Sequence, residues 1–392
     1  MKSILIISFL HASKKHAGAI RTQRFARYLP VFGWRPFIIT KQPLNETEGG
    51  KIDKVENTFY APFIPLNKPF RLEVFTWIPF MVAEAKRLIR KHQVAVVLIS
   101  CPPFHQAMAG ILLKKLFDVK LVIDYRDAWS LNPYYQSLDW LHQCILAGDK
   151  IMEKFLLRQT DLLIVTHQTM KDRYLERFDF LRNRIEVVYN GYDPEGIGID
   201  QDGLFPQFTI LHLGDFYVKQ KTRAPGLFLQ ALQKFICQEN IAPGRLRVLF
   251  VGERYEEVEK TISSLGLSPY VSCLDRVPHD VAMKYLNKSH VLLLIETGDV
   301  MTTKVFEYLA TGKPILALIK EGEIRKLIEK FSKHSYILTN PDLDRFMTAI
   351  EDCYKNYSRN RYEPDESFIA LYNRKNQTKE LAVCLNRLEQ AH

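Results

Sequence analysis

The segment from residue 295 to 314 sets Glu296, Asp299, Thr302, Thr303, Lys304 and Glu307 between two continuous apolar runs, 291–295 and 315–319. Runs of that kind fit parallel strands buried on both faces. Val305, Phe306, Leu309 and Ala310 recur at helical spacing, so a helix is expected to begin near Thr303, and Gly312 with Pro314 ends it. The first turn of a helix offers unpaired N–H groups and a partial positive charge, which suit a phosphate or diphosphate, and Lys304 adds a full charge there. A carboxylate one turn further in, Glu307, would repel phosphate. Accepting two hydroxyl protons from a ribose diol is the chemistry that suits it. The alternative is a helix cap, but a capping box places the acid three residues after Ser or Thr, whereas Glu307 follows Thr303 by four.

Other loops after strand-like runs carry reactive types. Gly18 follows the first run and precedes a helical pattern, where a missing side chain lets a phosphate approach backbone N–H groups; a simple turn residue is the alternative. No G-x-G-x-x-G and no G-x-x-x-x-G-K-[ST] occurs, which argues against nicotinamide-type and ATP-hydrolysing sites. His105, after the run 94–99, is a candidate for sugar hydrogen bonding or proton transfer, or for a structural role. Asp124 and Asp127 bracket Arg126, consistent with an internal ion pair; alternatively Asp127 and Trp129 form a sugar-binding wall. Asp127 and His105 are thus the candidate catalytic residues. In the second half Lys219, Lys221 and Arg223 follow Gly214, and three cations beside a glycine turn suit a diphosphate or a solvated basic loop. The loops at 251–254 and 277–280 are further candidates to line a base pocket.

The elements that must position these residues alternate as strands and helices throughout, which predicts an α/β fold with parallel sheets. Strands are expected at 3–10, 36–40, 94–100, 120–124, 162–166 and 185–189, then at 208–213, 246–252, 271–274, 291–295, 315–319 and 336–338. Residues 193–206, with two Pro, three Gly and four acids, read as a linker. Two Rossmann-like domains result, 1–195 and 203–365, with a C-terminal helix over 366–392 expected to pack back on the first. Ligands of such sheets bind beyond the carboxyl ends of the strands at a switch in strand order, so a cleft with half of the ligand on each side is expected.

With 392 residues, 47% apolar and 25% charged, the chain has the composition of a globular protein. Its apolar runs fall well short of the roughly 20 residues that span a bilayer. Residues 4–10 read as a first strand rather than a signal peptide, and a cytoplasmic location is expected. Six scattered cysteines without C-x-x-C or Cys/His spacing predict reduced thiols and no metal site. The net charge of +10 is concentrated: residues 1–41 carry eight Lys and Arg and no acid. Nucleic acid is disfavoured, since no zinc finger, RNP-type strand or helix-turn-helix accompanies the basic stretch. An anionic membrane surface fits better. Phe75, Trp77, Ile78, Phe80 and Met81 precede Lys86, Arg87, Arg90 and Lys91, the make-up of a helix lying in a bilayer interface; a helix packed on the sheet is the equal alternative.

Taken in order, the motifs resemble glycosyltransferases of the GT-B fold, family 4. They are Gly18-Ala19-Ile20-Arg21 leading into Arg24-Phe25-Ala26-Arg27-Tyr28-Leu29, then Ser100-Cys101-Pro102-Pro103, Asp124-Tyr125-Arg126-Asp127-Ala128-Trp129, Tyr189-Asn190-Gly191-Tyr192-Asp193, and Lys304 to Ala310 with Gly312-Lys313-Pro314. The resemblance implies transfer of a sugar from a nucleotide-sugar donor, UDP- or GDP-linked, to a hydroxyl of a glycan or lipid-linked acceptor. Retention at the anomeric carbon, no metal and no cofactor beyond the donor substrate belong to the same implication, as does a role in bacterial-type surface polysaccharide synthesis at the inner face of the membrane. Family members hold the ribose with the second acid of an E-x7-E pair, here Glu307; the first falls on Asp299, with Glu296 as a substitute. The diphosphate-binding cations map to the loop of Lys219, Lys221 and Arg223, with Arg223 the first choice. Two other functions compete: a nucleotide-sugar epimerase on the same architecture, and a non-enzymatic polyanion or membrane-binding protein.

Overall fold

The computed structural model describes residues 1–12, 17–43, 57–65, 70–132, 140–198, 203–216, 225–296, 301–339, 342–357 and 363–390. Lys219, Lys221, Arg223 and Asp299 lie outside the described residues. The chain divides into two compact units, Met1–Asn190 with Arg374–His392, and Gly191–Asn373.

In the first unit the strands are β1 (Lys2–Ile7), β2 (Trp34–Lys41), β3 (Thr58–Ala61), β4 (Val96–Cys101), β5 (Lys120–Tyr125), β6 (Leu162–Val165) and β7 (Ile185–Val187), and the helices are α1 (Ala17–Tyr28), α2 (Phe70–His92), α3 (Met108–Phe117), α4 (Trp140–Gln159) and α5 (Gln168–Arg177). The sheet is parallel with order β3-β2-β1-β4-β5-β6-β7. Successive strands leave β1 on one side and β4 on the other, so the switch in order falls between them. β4 is buried along its whole length, as its unbroken apolar run requires. The short edge strand β3 is half-exposed and carries no continuous apolar run, which is why the sequence pattern did not mark it.

The second unit contains β8 (Phe208–Leu213), β9 (Leu246–Val251), β10 (Val271–Leu274), β11 (Val291–Glu296), β12 (Ile315–Ile319) and β13 (Tyr336–Leu338), with α6 (Gly226–Gln238), α7 (Glu256–Ser264), α8 (His279–Lys288), α9 (Thr303–Ala310), α10 (Glu323–Phe331), α11 (Leu343–Asn356) and α12 (Glu366–Tyr372). Its sheet is also parallel, β10-β9-β8-β11-β12-β13, with the switch between β8 and β11.

The C-terminal segment is two helices, not one. α12 ends at Asn373, which is extended, and α13 (Arg374–Gln390) follows. α12 belongs to the second unit, where Phe368 stacks on Tyr192 and the Tyr192 N–H donates to Tyr372 O at 3.0 Å. This anchorage places residues 191–195 with the second unit. α13 packs on α1 in the first, sharing a core of Phe25, Ala26, Leu381, Ala382 and Leu385. No described helix is long and apolar enough to cross a membrane.

Candidate active site

In the second unit Lys304 stands at the switch between β8 and β11. Its Nζ lies 3.3 Å from Glu296 Oε1, at the buried end of β11. A methyl group on Gly214, just beyond β8, would come 3.2 Å from that Nζ, and Gly214 has φ +99°. Glycine is therefore needed twice over, for the left-handed backbone and for the lysine. Glu296 is the partner of Lys304, so part of the lysine's charge is already balanced. Thr302 precedes α9 in an extended conformation and makes no side-chain cap. Its buried Oγ1 has no hydrogen-bond partner among the described residues.

Glu307 is 8% exposed and one turn inside α9. Its Oε1 lies 3.0 Å from Nε2 of His279, the first residue of α8, whose side chain is 43% exposed. The acid thus sits where the core meets the surface rather than within apolar packing. α9 is held by Tyr308, fully buried, whose hydroxyl accepts the Leu213 N–H at 3.0 Å and donates to Leu293 O. β8, β11 and α9 are locked together by that one phenol. Lys313, in the Gly-Lys-Pro stop, turns its Nζ to the carbonyls of Leu286 (2.8 Å), Asn287 and Ser289 (2.5 Å) at the end of α8. Cations favour that end of a helix. A shallow recess beyond β8–β10 is lined by Gly214, Phe216, Phe250, Gly252, Tyr255 and Val258, with Asp215, Glu253 and Arg276 joined in ion pairs at its rim (2.5 and 3.0 Å).

In the first unit the expected pairing of Arg126 with its flanking acids is not what forms. Asp124 pairs with Arg21 on α1, with Nη2 to Oδ1 at 2.8 Å, and accepts the Ser100 hydroxyl at 2.9 Å. Arg21 also donates to Tyr189 O at 3.0 Å and Asn190 Oδ1 at 3.3 Å. The Gly18–Arg21, Ser100 and Asn190 motifs therefore meet at one buried guanidinium. Arg126 instead donates to the carbonyls of Cys101 (3.2 Å) and Pro102 (2.5 Å). Its Nη1 would lie 1.3 Å from any methyl on Gly18, so the glycine is explained without a ligand.

Asp127 is exposed. The surrounding protein pushes its carboxyl above the usual aspartate range while Arg126 opposes the shift; its open surface limits the effect. His105 Nε2 lies 3.3 Å from Asp149 Oδ1 on α4, and its ring packs against Phe75 and Trp129. The alternative, a sugar wall formed by Asp127 and Trp129, does not form at Trp129. Its indole is 1% exposed and stacked on Phe104 at 5.2 Å, because large aromatics are drawn into the core beneath the sheet's end. The loop bearing Asp127 is fixed from below. Glu153 on α4 accepts the Ser130 N–H (3.2 Å), the Ser130 hydroxyl and the Tyr174 hydroxyl (2.6 Å), and Tyr174 in turn accepts the Trp129 N–H (3.1 Å). Burial pushes Glu153 up. Neither Glu153 nor Tyr174 stood out in the sequence, since each falls in an ordinary amphipathic helix.

Two parallel sheets, each with a switch in strand order, define a two-unit α/β architecture, and comparison with known proteins gives its family. The family model for Glycosyltransferase Family 4 matches residues 18–195, and that for Glycosyl transferases group 1 matches residues 207–356. Together they take in most of the chain, which belongs to the GT-B glycosyltransferases. Sucrose-phosphate synthase from Thermosynechococcus elongatus is similar over 100% of both chains, with a TM-score of 0.76 and 16% identity. Anabaena HepE in complex with UDP-glucose has a TM-score of 0.59 and 15% identity over 100% of this chain and 98% of that one. UDP-GlcNAc 2-epimerase from Methanocaldococcus jannaschii has a TM-score of 0.59 and 12% identity over 99% and 100%. No curated protein matches the sequence.

Proposed function

We propose that this glycosyltransferase moves a sugar from a UDP- or GDP-linked donor to a hydroxyl of a glycan or lipid-linked acceptor, with retention, in surface polysaccharide synthesis. It would work in the cytoplasm at the inner face of the membrane. The carrying observation is Glu307, an acid set one turn inside a helix whose start holds Lys304 and a Thr302 hydroxyl without a partner among the described residues, at the strand-order switch. The N–H groups of α9, the Thr302 and Thr303 hydroxyls and Lys304 suit a diphosphate leaving group, which needs its developing charge stabilised as the glycosidic bond breaks. Glu307, oriented by His279, suits the ribose diol. Lys219 and Arg223 are proposed to add charge to the diphosphate, and Asp299 to contact the donor sugar. Asp127 and His105 are proposed to serve the acceptor side, with Asp127 taking up the acceptor proton, whereas the donor phosphate contact expected at Gly18 is not needed to explain that glycine, which packs on Arg126. The donor is a substrate, and no separate cofactor, metal or nucleic acid enters the proposal.

Glu307→Ala tests this directly. Calorimetric titration with UDP and GDP should show binding of one diphosphate weakened at least about tenfold, the scale of one lost charge-assisted contact, with the fold intact by circular dichroism. Unchanged affinity would remove the ribose assignment. An epimer formed from donor alone, without acceptor, would replace transfer by epimerisation.

A further inference from the structure

Among the described residues, eight of the fourteen exposed large apolar side chains lie on three helices of the first unit: α2, α3 and α4. The described part of the second unit has only Leu204 and Leu371. The three helices are neighbours, α2 packing on α3 and α3 on α4. His105 bridges them further, with its ring against Phe75 of α2 and its Nε2 at Asp149 of α4. Phe75, Phe80, Leu112, Leu116, Ile151 and Phe155, each more than two-fifths exposed, therefore stand on the exposed sides of three adjoining helices. Monomeric proteins rarely leave such a patch without a partner.

Charge decides which partner. Arg90 of α2 lies over the Phe117 ring of α3 at 5.3 Å, and Lys86, Lys115, Lys150 and Lys154 stand among the apolar groups with no ion-pair partner among the described residues. Of the acids on the three helices, Glu84 is engaged with Arg87, Asp149 with His105, and Glu153 with Ser130 and Tyr174, which leaves Glu73 at the start of α2 as the one carboxylate among the described residues there without such a partner. Two copies meeting symmetrically through this face would set cations against cations. Apolar side chains rimmed by lysine and arginine match the acyl boundary and headgroups of an anionic leaflet.

We propose that the outer face of α2, α3 and α4 docks on an anionic lipid bilayer, an inference that rests on the reading of this protein as a transferase with a lipid-linked acceptor. α4 then joins the membrane to the chemistry. Ile151 and Phe155 face outward, while Asp149 and Glu153 on its inner side hold His105 and the loop of Asp127. Docking presents the acceptor side of the first unit to lipid-borne hydroxyls.

The test is co-sedimentation of the full chain with phosphatidylcholine vesicles, with and without phosphatidylglycerol. The wild type should bind only the anionic vesicles. The pair Ile151→Glu and Phe155→Glu, and separately the pair Lys115→Glu and Lys154→Glu, should each weaken that binding at least about tenfold while leaving calorimetric UDP and GDP binding unchanged. Absence of wild-type binding to anionic vesicles overturns the proposal, as does wild-type affinity in both variants, or a stable dimer in solution that the apolar substitutions disperse. The transferase reading fails by a different readout, lack of nucleoside diphosphate binding and of transfer to a water-soluble acceptor.

Discussion

A methyl group at Gly18 would overlap the Arg126 guanidinium, whose N–H groups are committed to Cys101 O and Pro102 O. Gly18→Ala should therefore destabilise the first unit by about 2 kcal/mol, the range of an overpacked site. In an Arg126→Ala background most of that cost should vanish. Urea unfolding of the four proteins closes the cycle, and strictly additive effects would contradict the steric account. Glu307 and His279 make the complementary case. There the sequence identified the acid from its offset within a helix, but its imidazole partner, 28 positions earlier, was visible only as part of a loop.

Helix α8 begins at His279 and ends at the three carbonyls met by Lys313. One lysine from the β12 side thus fixes the element that presents the imidazole to Glu307. Burial pushes the Lys313 ammonium down to about 7, whereas three carbonyls and the helix dipole favour its charged form. Lys313→Met would leave those carbonyls without a donor, at a cost of about 3 kcal/mol. The expected readouts are a lower melting temperature and weaker nucleoside diphosphate binding, because α8 loses its fixed end. A variant with unchanged melting would show that water serves these carbonyls equally well.

His11 in the first unit and His290 in the second are both held neutral. Burial pushes both His11 and His290 down to about 4, Lys313 adding to the effect at His290. His290 Nδ1 accepts the Thr209 N–H at 3.1 Å, a bond that only the unprotonated nitrogen can make. A base with a depressed native pKa is protonated first in the unfolded chain. Its contribution to stability is complete above pH ~6.5 and is lost as pH falls towards 4. At pH 5 the loss should be about 2 kcal/mol for each histidine. Thermal unfolding at pH 7 and 5 checks this, and His290→Gln should flatten the decline in the second unit alone.

The alternation of buried apolar runs with helical periods was enough to assign two parallel α/β sheets, because strands covered on both faces leave a local signature in the chain. The α9 site was legible for the same reason: its acid, cation and hydroxyls lie within six consecutive residues, Thr302 to Glu307. Folding alone settled the rest. Arg21 meets Asp124 across 103 positions, Glu153 holds a loop from another helix, and Trp129 turned inward although its neighbours suggested a sugar platform. The helices at 366–372 and 374–390 parted at Asn373 because aromatic packing held one in the second unit and α1 took the other into the first. Local pattern reports which face a segment buries, but not which distant side chain it is buried against; that depends on packing, where burial removes water as the competing partner.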